Sequence, residues 1–160
     1  MKASTINELK QELQNIPPSQ LAELCLRLAK FKKENKELLT YLLFEAHDEP
    51  AYIESVQQEI ALQFEGINKS TLYFAKKSIR KILRMANKYI RFAGSKTVEA
   101  EVLTFFCSSL NASGIPFQQS TALLNLYKAQ LKKIKSAVDT LHEDLQYEYH
   151  KSLRKLEISG

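Results

Sequence analysis

Tryptophan is absent from this chain, and glycine and proline number only four each among 160 residues. So few chain breakers leave no room for a turn-dense β architecture, and the long stretches rich in Leu, Lys, Glu and Ala favour helices. The shortage of glycine also excludes glycine-rich phosphate loops and dinucleotide-binding turns, where backbone must approach phosphate without a Cβ in the way. Cys25 and Cys107 are the only cysteines. Each stands alone inside an apolar helical pattern, LAELCLRLA and VLTFFCSSL, without the short spacing of a metal site, so both are expected to be reduced core thiols. No run reaches the ~20 apolar residues of a membrane span, and MKASTINELKQ holds no apolar leader core, so the expected location is cytoplasmic.

Histidine is scarce as well. His47 lies in EAHDE, where one helix ends and the next is capped, while His142 and His150 fall two turns apart on one helical face. Neither arrangement gives the HExxH spacing or a facial His/carboxylate triad. Glu143, Asp144 and Glu148 cluster, but carboxylates on a helix face are ordinarily solvated, and no serine stands in a Gly-x-Ser-x-Gly elbow. The expectation is a protein with no catalytic residues, cofactor, metal site or small-molecule substrate.

What is present is a segment from which acid is missing. Residues 67–96, INKSTLYFAKKSIRKILRMANKYIRFAGSK, carry nine basic residues and no Asp or Glu, whereas residues 37–65 carry seven acids and no Lys or Arg. The net charge of +5 is thus the property of one segment. At 100° per residue, Lys77, Arg80, Lys81, Arg84, Lys88 and Arg91 form a stripe about 100° wide, within a basic helix over residues 69–91. Leu72, Ala75, Ile79, Ile82, Leu83, Ala86, Tyr89 and Ile90 form the opposite, core-facing arc. Asn68 is a candidate N-cap and Gly94 a candidate left-handed stop. The stripe carries like-charge pairs at i, i+4, each costing roughly 0.2–0.5 kcal/mol, so either the acidic segment neutralises it or it awaits an external anion. Phe74 and Phe92 border it and could stack on bases.

The remaining chain divides by its caps and prolines. Ser4 or Thr5 starts a weak helix in residues 1–17 that Pro17-Pro18 ends. Ser19 opens a helix with Leu21, Leu24, Cys25, Leu28 and Phe31 inward, and after a polar break at residues 32–35 a second helix presents Leu38, Leu39, Leu42, Leu43 and Ala46. This antiparallel hairpin is similar to the paired helices of HEAT-like solenoids, a likeness of pattern that names no family. Asp48 and Pro50 open a helix with Ile53, Val56, Ile60 and Phe64 inward and Gly66 as its stop. Another runs from Ser95 or Thr97 to Gly114, burying Val102, Phe106 and Leu110. Beyond Ile115-Pro116, Leu124, Tyr127, Leu131, Ile134, Val138, Leu141 and Leu145 alternate spacings of three and four, which predicts one long helix over residues 117–157, a rod of about 50 Å.

The expected fold is all-α: six or seven helices in a single domain over residues 1–160, arranged as antiparallel hairpins in a bundle or a short HEAT-like superhelical array. Two functions fit. In one the chain is an interaction scaffold with a protein partner, self-associating through the seam from Leu124 to Leu145. In the other it binds nucleic acid without sequence preference through the basic stripe.

Overall fold

The computed structural model describes residues 1–159, with side chains through Glu157. It contains eight α-helices and, among the described residues, no strand. The chain clusters into two compact units, Met1–Phe44 and Glu45–Gly160.

The first unit holds α1 (Ile6–Gln14), α2 (Pro18–Phe31) and α3 (Lys33–Thr40). Helix α1 is closed by a capping box: Glu8 N–H donates to Thr5 Oγ1 at 3.3 Å, and Thr5 N–H donates to Glu8 Oε2 at 2.7 Å. The start of α2 differs from the serine cap expected, because Pro17 occupies the N-cap and Pro18 the first helical position, where a missing N–H costs nothing. A single extended residue, Lys32, separates α2 from α3, and Asn35 Nδ2 donates back to the Leu28 carbonyl at 2.9 Å to pin the turn. At its end α3 passes into a π-helical turn, Tyr41–Glu45. No residue of α1, α2 or α3 is buried.

The second unit holds α4 (Glu49–Glu65), α5 (Leu72–Ala93), α6 (Lys96–Ala112), a 3-10 turn at Phe117–Gln119, α7 (Thr121–Val138) and α8 (Glu143–Ser159). Asp48 caps α4 through Ala51 N–H at 3.1 Å, Ser95 caps α6 and Ser120 caps α7. Helix α6 packs against α4, α5, α7 and α8, and its buried residues Val98, Ala100, Val102, Leu103, Phe106, Cys107 and Leu110 cover more than half its circumference. Phe106 meets the Phe64 ring at 5.7 Å, and Phe117 meets Tyr127 at 5.0 Å.

The long C-terminal helix expected over residues 117–157 is two helices, α7 and α8, packed together. Side chains, with no glycine or proline, make the break. Thr140 Oγ1 donates to the Ala137 carbonyl at 2.6 Å in the last turn of α7, and Gln146 Nε2 donates to the Leu141 carbonyl at 2.8 Å in the link to α8. At the start of α8, Asp144 N–H donates to His142 Nδ1 at 3.3 Å, and Glu143 and Asp144 complement the helix dipole.

Candidate interaction surfaces

Helix α5 buries Ala75, Ile79, Ile82, Leu83, Ala86 and Ile90, which fixes the orientation of its opposite face. Its N-cap is Thr71, which accepts Phe74 N–H at 3.3 Å; Asn68, expected in that role, instead accepts Ser70 N–H in the preceding turn. Gly94 ends the helix at φ +61°, the left-handed conformation that a Cβ disfavours. Lys77, Arg80, Lys81, Arg84 and Arg91 are exposed, and Lys88 is half-buried with Nζ 4.9 Å from the centre of the Tyr89 ring. Among the described residues no carboxylate lies within 4 Å of those five exposed cations. From Lys77 to Arg91 the face runs about 21 Å at 1.5 Å per residue.

The aromatic border differs from expectation. Phe92 is half-buried and stacks edge-on against Tyr89 at 6.0 Å. Phe74 is exposed, and beside it Tyr73 is 71% exposed, with their rings 5.5 Å apart. Tyr73 escaped the sequence reading, although 100° per residue puts it one turn before Lys77 within the basic stripe itself.

The residues expected to self-associate lie mostly inside. Tyr127, Leu131, Ile134 and Val138 are buried, Leu124 and Leu141 are half-buried, and only Leu145 is exposed. The α7 seam is occupied by the chain's own helices: Asn111 Nδ2 donates to Tyr127 Oη at 2.8 Å, and Tyr127 Oη donates to the Leu156 carbonyl at 2.8 Å. Spacing of three and four marks a buried face equally well whether the cover is another chain or α6 and α8.

No family model, curated protein or solved structure matches the chain.

The apolar surface that lacks a cover is in the first unit. Ile6 and Phe31 are more than 80% exposed, and Leu26, Leu28, Leu42, Leu43 and Phe44 are each more than half exposed. The expected inward face of α2 is therefore outward: Leu24, Leu28 and Phe31 are exposed, and Leu21 and Cys25 are only half-buried. Between α2 and α3 lies a groove of about 550 Å³ lined by Leu26, Ala29, Leu39, Leu43 and Phe44, with Lys30, Lys33, Lys36 and Thr40 completing its wall.

The titratable groups with displaced pKa values have structural surroundings. Burial pushes the Cys107 thiol up to about 12. Burial also raises Tyr127, against the lowering effect of the hydrogen bond from Asn111. Tyr149 is raised by burial first and then by its 2.5 Å hydrogen bond to Glu101. Glu8 is lowered by the Thr5 backbone and side-chain hydrogen bonds of the capping box. Among the described residues no three His, Cys, Asp or Glu side chains gather as a metal site. His142 and His150 each approach one carboxylate, Asp144 at 3.4 Å and Asp139 at 3.5 Å.

Proposed function

We propose that this chain is a non-enzymatic helical interaction protein, with residues 1–44 as its interaction element. The observation that carries this reading is the absence of any buried residue in α1, α2 and α3 alongside so many exposed large apolar side chains. Large apolar side chains left exposed in such number ordinarily mark a contact site. In this reading the second unit is a helical bundle, since a central helix touching four others is unlike a solenoid, where each repeat meets only its neighbours. The two free thiols fit a reducing, cytoplasmic compartment. Photocrosslinkers placed in native cells at Leu28 or Phe44 test the reading, with Lys133 on α7 as control. Discrete adducts from the first two positions alone are expected; equal labelling from all three, or none, refutes it.

A second reading is favoured by the exposed stripe on α5, where five cations have no ion pair among the described residues and exposed Tyr73 and Phe74 lie at one end. Such a face suits phosphate contacts along nucleic acid without base readout. Four or five phosphate contacts would make the affinity for duplex DNA fall with salt at a log–log slope of about −4. Affinity that ignores salt, or survives Arg80→Gln/Arg84→Gln/Lys88→Gln, would reject this reading.

A further inference from the structure

Helix α1 and the lysine-walled groove are each unfilled, and each has the chemistry the other lacks. Helix α1 is nine residues long, packs extensively against no other element and buries nothing. Helices this short are marginal in water without a tertiary partner, however well capped. Its exposed Ile6, Leu9 and Leu13 form one stripe, with Glu8 and Glu12 along one edge and Lys10 beyond the other. The groove has an apolar floor, and its three charged lining residues are all lysines. Lys30 and Lys36 have no ion pair among the described residues, and Lys33 reaches Glu37 only at 3.8 Å.

We infer that the groove between α2 and α3 receives α1 of a second copy of this chain, in a reciprocal exchange that closes a two-fold dimer. This rests on the reading of residues 1–44 as the interaction element and names its partner. The α1 stripe covers the groove floor, the acidic edge faces the lysines, and Lys10 points away from them. Reciprocity follows from the chain itself, since every copy offers one helix and one groove, and an isologous pair leaves neither unfilled. The open form of the site also decides against a small amphiphile: pockets for such ligands enclose most of the ligand, whereas a groove lies open to a helix that brings its own polar back.

Sedimentation equilibrium on the full chain tests this, with two variants at exposed positions and circular dichroism to confirm that the helices persist. Wild type is expected to dimerise, and Leu9→Glu/Leu13→Glu and Lys30→Glu/Lys33→Glu/Lys36→Glu each to weaken dimerisation by roughly 100-fold. Mixing the two variants should give a heterodimer weaker than wild type but tighter than either variant alone, because one of the two exchanged contacts joins an intact groove to an intact α1. Failure of the mixture to associate, or variants that dimerise like wild type, overturns the exchange. A wild type that stays monomeric also overturns it. If crosslinkers at Leu28 and Phe44 still give adducts to a different protein, the interaction reading stands and only the second copy is lost. If they give none, both fall.

Discussion

The Cys107 thiol lies in the middle of α6 with no exposed surface, and burial alone pushes its pKa from 9.0 to about 12. The folded state therefore keeps a proton that the unfolded chain releases above pH 9. Its contribution to stability is complete below pH 9 and declines as pH rises toward 12, by up to about 1.4 kcal/mol per pH unit. Tyr127 and Tyr149, raised chiefly by burial, add to the same alkaline loss. Urea titrations from pH 8 to 11 should show stability falling above pH 9, with a shallower fall in Cys107→Ala; an unchanged slope would remove Cys107 as a cause. Native labelling with a thiol reagent at pH 8 should modify Cys25, which is partly exposed, well before Cys107. Both cysteines sit among apolar neighbours in the sequence, and that pattern tells which face of a helix is apolar without telling whether anything covers it. Phe106 shows what covering is worth: fully buried and in contact with Phe64, it should cost about 3–5 kcal/mol when replaced by alanine, read as a lower denaturation midpoint.

At the scale of the element, α5 and α2 carry comparable apolar stripes with opposite outcomes. The stripe of α5 is buried under α4 and α6, while that of α2 is exposed although α2 packs on α3. The Gly94 stop and the Asp48 cap were legible, and Thr5 and Ser95 each as one of two candidates, since a cap or a stop depends on residues within one turn. The division of residues 117–157 was not. Its signal is a threonine back-bond and a glutamine that donates back to the Asp139 and Leu141 carbonyls, and Thr140 and Gln146 are ordinary helix residues unless Asp139 and the Glu143-Asp144 pair are read as a stop and a start. Replacing Gln146 by alanine should leave the Leu141 carbonyl without its side-chain donor, costing about 1 kcal/mol. Faster amide exchange in the first turn of α8 than in its centre would locate that loss; a uniform change along α8 would contradict it.

At the scale of the whole molecule, every buried residue among the described ones belongs to the second unit. Cooperative stability should therefore reside in residues 45–160, and removing residues 1–44 should subtract helix from the far-ultraviolet spectrum while leaving the intrinsic stability of that unit unchanged to within about 1 kcal/mol. Association changes the comparison in a way that can be measured. If residues 1–44 hold two copies together, the part of the full chain's stability that comes from dimerisation rises with protein concentration, since a partner that binds only the folded form stabilises by mass action. Residues 45–160 alone have lost both α1 and the groove, so their unfolding should not depend on concentration. Scanning calorimetry of the two proteins over a hundredfold range of concentration separates the cases. A concentration-dependent first transition in the full chain, absent from the shortened one, places association in the first unit. Concentration dependence that survives the truncation assigns it to the second unit, with the exposed Leu145 as the place to look.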